Sequence, residues 1–217
     1  MTEQKQKQLI IFLGPQGSGK GTQAKILAKD FGIPHVSTGD IFREEREKDT
    51  ERGKLIRSLI DGGNFVPDEI TNEMVKDRLG EQDCANGAIL DGYPRNLAQA
   101  GVLDEIWQGN SATAILVDIP DDVAMERAVY RRNCKKCGKI YHLKSNPPKQ
   151  DEICDDCASP LAWRDDDREE QIKIRLKTYH QKTEPLIRYY QDKGALVKIN
   201  GVGTIEEVAE RIKAKLK

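Results

Sequence analysis

The chain has 217 residues, with 35 lysines and arginines against 36 aspartates and glutamates, for a formal net charge of -1. That length suits one well-buried domain with insertions. The near balance of charge argues against nonspecific nucleic-acid binding as the main task, and no apolar run approaches the roughly 20 residues of a membrane span.

Residues 1–8 are polar and lysine-rich, with no apolar stretch of signal-peptide length after them. They read as a short disordered leader, and the protein as cytoplasmic. Leu9-Ile10-Ile11-Phe12-Leu13 reads as a strand. The loop Gly14-Pro15-Gln16-Gly17-Ser18-Gly19-Lys20-Gly21-Thr22 follows, then a helical pattern through Ala24, Leu27 and Ala28. Strand, glycine-rich loop and helix form the setting of a phosphate-binding P-loop. The glycines leave backbone N–H groups free to turn around a polyphosphate, the helix start adds its positive dipole end, and Lys20 reaches the β- and γ-phosphates. Gly21 stands where a serine or threonine is usual and Thr22 comes one later, so the direct Mg²⁺-binding hydroxyl stays unassigned.

Further along, residues 36–40 end a short strand, and 41–48 and 53–60 read as short charged helices. A turn at 62–68 leads into a helix that ends near Leu79. Residues 88–91 form a second buried strand ending in Asp91-Gly92-Tyr93-Pro94-Arg95, and a helix over 96–107 follows. A third strand at 113–119 is closed by Pro120, and 121–132 reads as helix. The pattern breaks over 134–165, a stretch rich in Cys, Lys, Asp and Pro without an obvious core. A long helix over 166–192 is expected to kink at Pro185. A strand at 195–199 and an amphipathic helix at 204–216 complete the chain. Alternating strands and helices predict an α/β fold, a five-stranded parallel sheet with helices on both faces around the P-loop. Ligands then gather beyond the C-terminal strand ends, where the P-loop, Thr38, Asp91 and Gly201 all fall.

Three sets of residues carry chemistry. Asp91 ends a strand facing the P-loop, where such enzymes place the carboxylate that holds Mg²⁺ directly or through water. Arg43, Arg95, Arg127, Arg131, Arg164 and Arg175 offer planar forks for phosphoryl oxygens, although spacing alone does not select them. Cys134-x-x-Cys137 and Cys154-x-x-Cys157 are sixteen residues apart, within the window for a four-cysteine zinc site. Such a site is structural because its shell is closed; a redox dithiol pair is the other reading. Cys84 reads as a helix-end core or surface thiol, and His35 as structural.

Taken together these stretches resemble the adenylate kinases that carry a long, zinc-containing lid. The resemblance rests on residues 14–22, Ser37-Thr38-Gly39-Asp40 with Arg43, Leu90-Asp91-Gly92-Tyr93-Pro94-Arg95 with Gln99, Arg127 with Arg131-Arg132, Tyr141-His142, Asn146-Pro147-Pro148-Lys149, and Arg164-Asp165-Asp166 with Arg175. It implies ATP + AMP ⇌ 2 ADP with Mg²⁺. It implies that Thr38, Arg43, Asn64, Phe65, Val66, Gly92, Tyr93, Pro94, Arg95 and Gln99 hold AMP, together with Arg164 and Arg175. It implies that Gly17, Ser18, Gly19, Lys20, Gly21, Thr22, Arg127, Arg131, Ile140, Tyr141 and Gly203 hold ATP. Lys20, Arg95, Arg131, Arg164 and Arg175 are then catalytic, Cys134, Cys137, Cys154 and Cys157 hold structural zinc, and Asp91 holds Mg²⁺ through water. The implied layout is a core over 1–36, 67–132 and 166–217, a mobile AMP-binding segment at 37–66 and a zinc lid at 133–165, in a monomer with no nucleic-acid or membrane partner. Kinases for UMP, CMP or GTP-dependent variants, a zinc-ribbon nucleic-acid binder and a P-loop protein without turnover are the competing readings. The long lid and Gln99 weigh against the UMP and CMP kinases, and the charge balance and the scarcity of aromatics between basic residues against the nucleic-acid binder. The donor base is weakly encoded, and an ADP-formation assay separates the protein without turnover.

Overall fold

The computed structural model describes residues 7–61, 66–107, 111–163 and 167–216. Five strands, β1 (Gln8–Leu13), β2 (His35–Ser37), β3 (Gly87–Asp91), β4 (Ala112–Asp118) and a last one, β8 (Leu196–Asn200), make one sheet in the order β2-β3-β1-β4-β8. Every neighbouring pair is parallel. Side chains alternate across a strand, so Leu9, Ile11 and Leu13 of β1 enter one core while Ile10 and Phe12 enter another. The first is covered by α4 (Asp68–Leu79), α5 (Leu97–Trp107) and α8 (Pro185–Asp192), through Val75, Leu103, Leu186 and Tyr190. The second is covered by α1 (Lys20–Phe31) and α9 (Ile205–Leu216), through Leu27, Val208 and Ile212. β1 is central and the strand order runs outward from it on both sides, so a crevice opens beyond the C-terminal ends of β1 and its neighbours.

Two smaller units sit on this frame. Helices α2 (Thr38–Glu45) and α3 (Glu51–Asp61) pack with α4 around Ile56, Val66 and Met74. After α6 (Asp121–Val129) the chain enters a separate antiparallel sheet of β5 (Arg131–Cys134), β6 (Ile140–His142) and β7 (Leu161–Ala162), in the order β6-β5-β7. The helix expected over 121–132 therefore stops at Val129, because the backbone from Arg131 to Asn133 spends its hydrogen bonds on His142 to Ile140 instead. The stretch expected to lack a core has a small one, in which Cys134, Tyr141 and Cys154 are each about 1% exposed. Cys84 is buried in the first core, within a 3-10 turn, and is not a surface thiol. Helix α2 starts earlier than expected because Ser37 Oγ accepts the Asp40 N–H and caps it at Thr38. Among the described residues no helix is long and apolar enough to cross a membrane.

The long helix expected over 166–192 is two helices, α7 (Glu169–Thr178) and α8, joined by a π turn at Tyr179–Thr183. Pro185 opens α8 and has no N–H to give to the preceding turn, so the regular ladder cannot run through it. His180 in this turn spans two carboxylates, with Nδ1 2.9 Å from Glu184 and Nε2 2.9 Å from Asp121 at the start of α6. Glu184 first and Asp121 second raise its pKa above the usual imidazole value. A raised folded-state pKa adds stability below the unfolded value of about 6.5 and loses it as pH rises through the folded value. In thermal unfolding, His180→Gln is thus expected to cost more at pH 5.5 than at pH 8.5. Equal losses at the two pH values contradict the ion-pair reading.

Candidate active site

The loop after β1 is folded by close approaches that exclude side chains. Gly17 has φ +83°, and a Cβ there would lie 2.3 Å from the Ala124 carbonyl oxygen of α6. A Cβ on Gly21 would lie 2.8 Å from Asp91 Oδ2. Gly21 thus lets the β3 carboxylate reach the start of α1, which explains why no side chain occupies the position usual for a hydroxyl. Gly19 caps α1 without a side-chain hydrogen bond, so the first N–H groups of the helix stay available to an anion. Ser18 Oγ is buried and, among the described residues, has no hydrogen-bond partner.

Lys20 Nζ donates to Pro15 O at 3.1 Å. Burial lowers its pKa to about 8, Asp91 opposes that shift, and the charges of Arg175, Arg95 and Arg131 lower it further. Four groups expected to be functional from α7, β3 and its loop, and β5 therefore act on one ammonium. Asp91 is pushed up by burial, but His35, Lys20 and Arg95 together hold its carboxyl below the usual aspartate range. It stays ionised at neutral pH, as a carboxylate that holds a divalent cation through water must be. His35, read as structural, is the first residue of β2, and its Nε2 lies 3.6 Å from Asp91 Oδ2.

On the β2–β3 side, Thr38 Oγ1 donates to Gly92 O at 3.0 Å and Arg95 Nε donates to the same oxygen at 2.8 Å. Gln99 Oε1 accepts the Arg95 N–H at 2.7 Å, and its Nε2 donates to Asp68 Oδ1 at 2.7 Å. A carboxamide can make four hydrogen bonds, so among the described residues one donor and one acceptor of Gln99 are uncommitted. Asn96 Oδ1 accepts the Gln99 N–H at 2.8 Å and fixes that turn of α5. Tyr93 is 1% exposed, with its hydroxyl 2.8 Å from Asn72 Oδ1 and 3.1 Å from Gln99 O, so its side chain faces the core. Val66 likewise buries its side chain against Ile56 and Met74. Arg43 pairs with Asp40 on the exposed side of α2. Asn64, Phe65 and Arg164 lie outside the described residues.

On the other side, Arg127 donates from Nη1 to Gly201 O at 3.0 Å and from Nη2 to Gly203 O at 3.3 Å, joining α6 to the loop after β8. Arg131 grips Asp167 with both ends of its fork, Nε to Oδ2 at 2.8 Å and Nη2 to Oδ1 at 2.5 Å. Gln16 Nε2 donates to the same Oδ1 at 2.6 Å. Asp167 is 0% exposed. It therefore ties the P-loop to the first residue of β5. Neither the partner of Gln16 within the P-loop run nor the burial of Asp167 is visible in the sequence. Asp167 ends the run Asp165-Asp166-Asp167, and a run of acids reads as a solvated surface.

Ile140 and Tyr141 lie on β6, opposite Asn133 and Arg132. The Tyr141 side chain turns into the cysteine core. The four sulfurs of Cys134, Cys137, Cys154 and Cys157 lie within 4.8 Å of one another. Tetrahedral zinc with about 2.3 Å bonds sets sulfur–sulfur separations of about 3.8 Å, so the set fits one ion with a closed shell. Each knuckle is closed by the same turn, Gly138 N–H to Cys134 O and Ala158 N–H to Cys154 O, both 2.9 Å.

The family model for adenylate kinase matches residues 12–195. The adenylate kinase of Thermotoga neapolitana is 50% identical over 209 residues, covering 94% of this chain and 95% of its own. That of Caldanaerobacter subterraneus subsp. tengcongensis is 49% identical over 210 residues, covering 95% of each. That of Streptomyces avermitilis is 47% identical over 212 residues, covering 96% of each.

Proposed function

This chain belongs to the adenylate kinase family, and from that premise we propose how its residues divide the work. The reaction is the reversible transfer of the terminal phosphoryl group of ATP to AMP, giving two ADP. What supports the assignment of roles is the placing of Asp91 against Gly21 at the start of α1 and the tie of Arg131 through Asp167 to Gln16 of the P-loop, with Asp91, Arg95, Arg131 and Arg175 all bearing on the charge of Lys20.

ATP lies along the P-loop, with backbone N–H groups of Gly17, Ser18, Gly19, Gly21 and Thr22 around its phosphates and Lys20 on the transferring group. Arg127, Gly203 and the backbone of Ile140 and Tyr141 border the donor base. AMP lies between α2 and the loop after β3, met by Thr38, Arg43, the backbone from Asn64 to Val66, Gly92 to Arg95, and the free half of Gln99. Phosphoryl transfer is catalysed mainly by position and charge. Arg95, Arg131, Arg164 and Arg175 neutralise the charge on the equatorial oxygens as the γ-phosphoryl moves in line from one oxygen to the other. Asp91, kept ionised, is the residue that would hold Mg²⁺, which would supply positive charge to offset that of the phosphates.

The segment over 37–66 serves as the AMP-binding unit and 133–165 as a lid that excludes water, which would otherwise compete with AMP as acceptor. Zinc is the ion the four cysteines would hold, and its role is to fold the lid. The protein works as a cytoplasmic monomer without nucleic acid. The cysteine set supports that setting, since a reducing compartment keeps such thiols for metal and not for disulfides.

A screen of ATP against AMP, GMP, CMP and UMP, with ADP formation as readout, tests acceptor choice. AMP is expected to exceed each of the others by at least about tenfold in kcat/KM, roughly 1.4 kcal/mol of transition-state discrimination. Comparable rates with CMP or UMP overturn the assignment of Gln99 to the acceptor base.

A further inference from the structure

Beside the cysteine cluster stands one group that the reaction does not use. The Tyr141 phenol is 1% exposed in the middle of β6. Its oxygen accepts the Asp155 N–H at 2.7 Å and lies 3.5 Å from Cys154 Sγ. The amide occupies the oxygen on one side, so the hydroxyl proton is given to the sulfur. The phenol is held in place from two directions. The β5–β6 ladder sets Tyr141 opposite Arg132. Lys139 Nζ lies 5.4 Å from the ring centroid while pairing with Asp156 at 2.5 Å. Asp155 and Asp156 both belong to the second knuckle, so these contacts tie the phenol to that cysteine pair.

We propose that Tyr141 is a positioning residue for the lid's metal: its hydroxyl donates to the Cys154 thiolate and fixes that sulfur in its ligating direction. The proposal rests on the metal reading above. A thiolate bound to a cation retains acceptor capacity, and partners outside the ligand shell orient the ligands and tune affinity. Tyr141 also carries backbone that borders the donor nucleotide, so one residue faces the metal with its side chain and the crevice with its main chain.

The test uses the intact metal-loaded protein and its Tyr141→Phe variant, which keeps the ring and loses only the hydroxyl. In competition with a chromogenic chelator, the variant is expected to hold zinc about 10- to 100-fold more weakly. With cobalt in place of zinc, its thiolate-to-metal charge-transfer band is expected to move from its native position. After complete metal removal the gap in unfolding temperature between the two proteins is expected to shrink, which a mere packing role would not produce. Zinc affinity within twofold of native and an unmoved cobalt band overturn the proposal. Native protein that carries no metal overturns the metal reading with it, whereas native metal retained equally by both forms overturns the role of Tyr141 alone.

Discussion

Lys20→Met is expected to lower kcat by at least about 100-fold, some 2.7 kcal/mol, with the fold intact. The side chain sits at the start of α1 and, among the described residues, its hydrogen bond goes to Pro15 O within the same loop. Its removal therefore deletes charge where transferred charge accumulates, in a partly buried site where each such contact counts for more than in water. Native-like circular dichroism with a loss under tenfold contradicts that role. Lys20 also predicts a pH signature. Burial and three arginines bring its pKa to about 8 in the free protein, so the ammonium is lost as pH rises through that value. Bound phosphate restores the proton by adding negative charge. The profile of kcat/KM for ATP, which reports the free enzyme, is expected to fall above pH 8 while kcat persists to higher pH.

The second large effect belongs to Asp167. Replacing it with asparagine leaves the Arg131 fork without a carboxylate in a site that is closed to water, and aims an amide at donors. Breaking a buried pair on one side costs about 3 kcal/mol or more. For a chain of this size that corresponds to a melting temperature lower by roughly 6–12 °C. Activity is expected to fall about tenfold further than the loss of folded protein explains, because Arg131 loses its aim and Gln16 its anchor on the P-loop. An unchanged melting temperature refutes the buried-pair account. Normal kcat in a destabilised protein limits Asp167 to a structural role.

Local patterns made most of the frame legible. The β1 run, the glycines after it and the 3.6-residue spacing that follows are short-range signals, and they place a phosphate loop without knowledge of any distant contact. The four cysteines are equally local, since two pairs at fixed spacing define their own turn. What escaped was set by partners far along the chain. Arg131 to Asn133 has no alternation to mark it as strand and becomes one only because residues 140–142 return beside it. Asp167 looks solvated until Gln16, 151 positions away, closes over it. The direction of Tyr141 depends on ladder register, a property of two strands together. Gln99 was read for adenine, yet half its hydrogen-bonding capacity is committed to Arg95 and Asp68. In each case the residue type was visible and its burial was not.

The sheet of β5, β6 and β7 is entered and left by neighbouring strands, with Asn133 opposite Ala162 and Cys134 opposite Leu161. Strands so paired run about 4.8 Å apart, so the two points where the main chain departs and returns nearly coincide. Insertions of this kind are exchangeable cassettes: a short turn could close the gap and leave the route of the parallel sheet unchanged. Descent can therefore lengthen, shorten or re-metal the part of this piece beyond Arg131, whose fork stays tied through Asp167 to Gln16 of the phosphate loop, which separates the history of the insertion from that of the chemistry.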